Sequence, residues 1–133
     1  MERSTTILRT ALGVLMILGG IAHFLKPELY APFIPDAMPL RLVNCLVGVL
    51  ELSLGVGVFF PRYRSKAMLG IFILMIGFLP LHAADAFRDD PAIGSKLLAY
   101  VRLPFQFVLI GWAWFIHKNE PETEAKSQKR SKV

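Results

Sequence analysis

The sequence predicts an all-α fold, a membrane-spanning antiparallel four-helix bundle, on three observations. Hydrophobic residues make up 54 % of the 133-residue chain and charged residues 19 %, where soluble domains carry roughly a quarter. The charges cluster, with eight of the 25 Asp, Glu, Lys and Arg residues inside 118–133. The remainder divides into four apolar runs parted by short polar or proline-bearing segments. A single Cys excludes a disulfide framework or a Cys-x-x-Cys pair within the chain. The length leaves no room for a nucleotide-binding domain beside a membrane part.

The first helix is predicted over residues 6–25, near the ~20 residues that cross a ~30 Å hydrocarbon core. A secretory signal peptide is the competing reading. Arg3 and Arg9 precede an apolar stretch, and Gly20 and Ala22 are spaced for cleavage after Ala22. The run is longer than the usual apolar region of such peptides, which favours a retained helix. Residues 26–35 contain Pro27, Pro32 and Pro35 with Tyr30 and Phe33. They cannot continue the helix and read as an ordered cap over the mouth of the bundle.

The second helix is predicted over 42–60 and the third over 67–86, with Pro80, His82 and Asp85 in the last turns of the third. The apolar run 103–116 is too short to span alone. It suffices if the helix covers 97–116 and carries Arg102 in its first turns. Pro80 and Pro104 each interrupt a helix and leave the Ile76 and Tyr100 carbonyls unpaired, unless Pro104 lies near the helix start, where proline is tolerated. These four helices form one domain, 1–116, and residues 117–133 read as a charged, disordered cytoplasmic tail. Frequent glycines argue against helix in water, but small residues in lipid let helices approach closely. Ser53 and Gly57 form one weak small-x-x-x-small pair. No apolar/polar alternation marks a membrane barrel.

Ten of the fifteen Lys and Arg residues fall on one side of this topology, most compactly in Arg62-Tyr63-Arg64-Ser65-Lys66. The positive-inside bias then predicts a multi-pass protein of the plasma (inner) membrane with both termini cytoplasmic. Trp112 and Trp114 fall at the inner headgroup layer. The net charge of +5 belongs to this topology and to lipid contact. No basic stripe is interleaved with exposed aromatics, so nucleic acid is not an expected partner.

His23, Glu51, His82, Asp85 and Arg102 are then expected between the outer surface and the midplane, with Gln106 one turn beyond Arg102. The inner half is expected to hold no ionisable group. These six residues are the ligand-binding candidates, and no catalytic residue is identified. A carboxylate at mid-helix costs a few kcal/mol in lipid, so Glu51 should face the interior, protonated or paired with Arg102 or a histidine. It serves either as a proton- or ligand-binding group or as a buried pair fixing helix register. His23 and His82 could ligate a haem iron or a metal ion, but the spacing shows no porphyrin cavity. Interfacial side chains are the plainer account, and no metal site is expected. Asp85 follows His82 by three residues, on the same helical face, and could hold that ring's tautomer. Asp89 and Asp90 read as solvated loop. Each His is followed, across a proline-bearing loop, by an Arg (Arg41, Arg102) that opens the next helix, a faint sign of duplication.

Several segments carry a resemblance. Gly20-Ile21-Ala22-His23-Phe24 with Pro27 and Tyr30 is similar to the first-helix motif of the DoxX-like family of small integral membrane proteins. So are Gly48-Val49-Leu50-Glu51-Leu52 with Gly55, Gly57, Pro61 and Arg62, and Arg102-Leu103-Pro104-Phe105-Gln106 with Trp112-Ala113-Trp114. The third helix departs from the family at Pro80-Leu81-His82-Ala83, where relatives carry a Pro-Ala-Asn-like segment, so no site role transfers to His82. The resemblance implies a four-helix membrane bundle. It also implies a link to thiosulfate:quinone oxidoreductase subunits and to membrane oxidoreductase assemblies that handle oxidative stress. More distant relatives are membrane-protein assembly factors.

Three functions are consistent with these observations. One is an accessory or quinone/small-ligand-binding subunit of a membrane redox system, its outward-facing polar pocket supplying hydrogen bonds and a proton to a quinone. Cys45 is solitary, so electrons would come from a membrane oxidoreductase partner, and the chain is not expected to be an enzyme on its own. The second is a non-catalytic assembly or scaffold factor. The third is a proton-coupled transporter, which usually needs two rearranging repeats around a midplane site and so further copies of this chain. The lipid bilayer is a partner in all three. Quinone is the cofactor to test first, ahead of haem.

Overall fold

The computed structural model describes residues 2–120. Among them are four α-helices, α1 (Glu2–Leu25), α2 (Leu40–Gly57), α3 (Arg64–Ala86) and α4 (Lys96–Asn119), and no strand. Each helix is long and apolar enough to cross a membrane, the make-up of a multi-pass membrane protein. Two 3-10 turns, Pro27–Leu29 and Ala31–Phe33, stand between α1 and α2.

The helix ends depart from the sequence reading in instructive places. α2 stops at Gly57, short of residue 60, and turns through residues 58–63 join it to α3. α4 runs on to Asn119, since His117 and Lys118 in its last turn complement the negative end of the helix dipole. At its start the Ser95 hydroxyl accepts from the Leu98 N–H at 3.1 Å. Pro104 therefore lies well inside α4, as Pro80 does inside α3. In the connection between them Gly94 has φ +98°, a left-handed conformation that other residues resist. Of the predicted tail, residues 121–133 lie outside the described residues.

α1 packs along α2 and α3 along α4, while α2 with α3 and α1 with α4 touch sparsely. Glycines make the first seam. A Cβ on Gly20 would stand 2.8 Å from the Leu52 nitrogen and 3.0 Å from the Gly48 carbonyl oxygen. One on Gly55 would stand 3.0 Å from the Gly13 carbonyl oxygen and from the Ile17 nitrogen. Backbone thus meets backbone at two levels, seven residues apart on each helix. Ser53, by contrast, gives its hydroxyl to its own helix at Val49 O. Below the seam Leu12, Met16, Met68, Ile71, Met75, Leu109, Ala113 and Ile116 form a buried apolar core.

At the core's far end lies a charged clasp. Glu120, 8 % exposed, accepts from Arg9 Nη1 at 2.5 Å, and Arg64 Nη1 stands 3.6 Å from its other oxygen. The Arg64 Nε also donates to the Val58 carbonyl at 3.2 Å. Sequence reasoning, which leaves Glu120 in the charged tail, does not anticipate this enclosed carboxylate. Glu120 follows α4 directly, and the helix end returns its carboxylate onto two arginines from other elements. Trp112, expected at the inner headgroup layer, turns inward. It packs against the core, and its indole Nε1 is buried without a partner.

Candidate functional site

Above the core, between the end of α1, the start of α2, the end of α3 and the start of α4, lies a cavity of about 260 Å³. Its floor is apolar (Leu12, Met16, Met75, Leu109) and its upper wall collects His23, Asn44, Glu51, His82, Arg102 and Gln106. Five of the six sequence candidates therefore line one space.

His23 is the most constrained of them. Its Nδ1 is 2.6 Å from Asn44 Oδ1, while Asn44 Nδ2 donates to the His23 carbonyl at 2.8 Å. A carbonyl only accepts, so the amide nitrogen must face it and the amide oxygen must face the ring. The proton of neutral His23 consequently sits on Nδ1, leaving Nε2 as the open nitrogen. That nitrogen lies 3.9 Å from Glu51 Oε1. Of the two partners expected for Glu51, the histidine is the one present. Among the described residues no carboxylate lies within ion-pairing distance of Arg102, and the buried Asp85 acts on it only at longer range.

Gly19 makes room for the Glu51 carboxyl, since a Cβ there would lie 2.7 Å from Oε2. The obstruction is a flexible side-chain end, so Gly19→Ala should fold normally and re-aim Glu51. The expected result is a melting temperature within a few degrees of the parent. A large loss of stability would contradict it.

The proline segment covers this wall, as its composition suggested. The Tyr30 ring stacks on His23 with centroids 3.6 Å apart and planes at 17°, and its hydroxyl donates to Gly19 O at 3.3 Å. Burial, reinforced by the Glu51 carboxylate and opposed by Arg102, raises the Tyr30 phenol above its ordinary pKa, so it remains a donor. Phe33 lies 4.8 Å from the Arg102 guanidinium carbon, a cation–π contact, and edge-on to His82 at 6.2 Å.

His82 is buried, and its Nδ1 has no hydrogen-bond partner. Asp85 does not supply one, and it does not line the cavity. Its carboxylate accepts from the backbone N–H groups of Ala92 and Ile93, at 2.5 and 3.4 Å, and so fixes the loop before α4. The same-face spacing was right, but two loop N–H groups needing acceptors claimed the carboxylate. Gln106 donates to Met75 O at 2.7 Å, tying α4 to α3 just before the Ile76 carbonyl that Pro80 leaves unpaired. Asp89 is exposed and pairs with Lys96.

Arg41 is exposed while Arg102 lines the cavity, so the sign of duplication does not extend to the site. Among the described residues no three His, Cys, Asp or Glu side chains gather as a metal site. Sequence reasoning missed Asn44. An amide near a helix start gives no signal of its own, and only its position opposite His23 reveals its role.

No curated protein and no solved structure matches the chain. Residues 12–117 match one family, described as a domain of unknown function. The chain belongs to that family, DUF8561.

Proposed function

We propose that this is a small-ligand-binding integral membrane protein, an accessory subunit of a membrane redox system whose cavity receives a quinone headgroup. The observation that carries the reading is a cavity with an apolar floor and a polar wall drawn from all four helices, in which His82 Nδ1 is buried without a partner. Unsatisfied buried groups are uncommon in folded chains, and a ligand oxygen would complete this one. A buried ionisable cluster within membrane-spanning helices favours function over packing. The open His23 nitrogen beside Glu51 carries a lone pair suited to taking a proton from a bound hydroxyl, as on a reduced quinone.

An antiparallel bundle with both termini in the cytoplasm completes the proposal. In support, the starts of α1 and α3 meet the end of α4 at the Glu120 clasp, and the opposite ends surround the cavity. The basic residues gather on the clasp side, the side that would face the cytoplasm of a bacterial-type inner membrane. The DoxX-like resemblance points to the same redox setting.

Extraction in mild detergent followed by mass spectrometry of the organic phase tests the reading, with a co-purifying quinone as the expected result. Glu51→Gln should retain the parent's melting temperature and lose the quinone. A scaffold without a ligand is the second reading, favoured by the closed His23–Asn44 pair. A ligand-free parent that captures one membrane protein, with Glu51→Gln failing to fold, would establish that reading instead.

A further inference from the structure

At about 260 Å³ the cavity is smaller than the ~300–1,000 Å³ of sites that engulf a drug-sized molecule. It suits one ring or compact head, and a long chain attached to that head must leave it. The polar mouth is covered. Tyr30 stacks on His23, Phe33 lies against Arg102, and Arg88 Nη1 donates to Pro32 O at 3.3 Å, tying the proline segment to the loop after α3.

The flank between α1 and α4 is different. These helices touch sparsely, and each gives the cavity wall a side chain that is itself open to the outside. Leu15 is 43 % exposed and Phe105 51 % exposed. Along helices that cross a bilayer, that outside is lipid. On the head side His82 Nδ1 has no hydrogen-bond partner, and the Arg102 guanidinium, among the described residues, lies against the Phe33 ring with no carboxylate within ion-pairing distance.

Resting on the small-ligand reading above, we infer that the cavity takes the hydrogen-bond-accepting head of a long-chain lipid, held by Arg102 and His82, while its chain leaves between α1 and α4 past Leu15 and Phe105. A quinone carbonyl and a fatty-acid carboxyl share that head chemistry. Entry is then lateral, from the membrane.

The test uses the full chain in phosphatidylcholine vesicles with two photoreactive probes, a benzoquinone and a fatty acid, each carrying a diazirine at the far end of its chain. The expected label falls on α1 and α4 around Leu15 and Phe105 and disappears with excess unlabelled ligand. The effective competitor identifies the head. His82→Leu should weaken competition about tenfold, the equivalent of one hydrogen bond. Competable label on residues 26–35, or on α2 and α3, overturns the lateral route. If a head-labelled quinone still marks the cavity in that case, the ligand-binding reading stands without it. If neither head nor chain gives competable label, both fall.

Discussion

Glu120→Ala is expected to destabilise the protein by about 3–5 kcal/mol, the range for removing one member of a buried ion pair. The carboxylate is almost wholly enclosed, and both of its oxygens are in use, one by Arg9 and the other by Arg64. Neither guanidinium is well exposed, so deletion leaves two cations facing each other with little water to screen them. The damage is also topological, because α1 and α4 have few other contacts. Thermal unfolding in detergent reads the effect. Replacing Arg9 and Glu120 together by methionine should recover part of the loss, since removing both partners is cheaper than stranding one. A Glu120→Ala protein that melts with the parent would remove the clasp from the account of stability.

Gly20→Leu is the second large effect, expected at the upper end of the roughly 1–3 kcal/mol that overpacking usually costs, or beyond it. The first added carbon meets the Leu52 nitrogen and the Gly48 carbonyl oxygen. Neither can rotate away, so α1 must shift along its whole seam with α2. Gly55→Leu should behave alike. Gly77 and Gly111, whose added Cβ atoms meet nothing within 4 Å, supply the contrast. Alanine there should be neutral, or stabilising by up to about 1 kcal/mol through backbone entropy. Equal losses at all four positions, measured by melting temperature, would show that helix propensity and not close approach governs this seam.

The helices were legible because spanning length is a one-dimensional property, readable from an apolar run without knowing what it packs against. Their ends were less so. Residues 58–60 are as apolar as the helix before them, yet form turns. His117 and Lys118 look like a tail, yet extend α4. The candidate site was legible as far as it follows from cost, since charged groups in apolar runs must find company, and His23, Glu51, His82 and Arg102 share one cavity. Which company each finds was not legible. The Glu51–His23 approach, the Asn44 lock and the diversion of Asp85 to Ala92 and Ile93 depend on side chains meeting across helices or loops. Glu120 lay hidden for the opposite reason, one acid among many charges with nothing local to mark its burial.

The Asn44 lock has a spectroscopic consequence. An amide committed at both ends to one histidine removes the tautomer exchange that neutral imidazoles ordinarily undergo, so every copy of the protein should carry the same His23 tautomer. Nitrogen-15 labelling should give that ring one pair of sharply separated resonances, and Asn44→Leu should merge them toward an exchange average. A visitor to the cavity would then always meet the same lone pair at the same place, a form of selectivity that requires no movement of the chain.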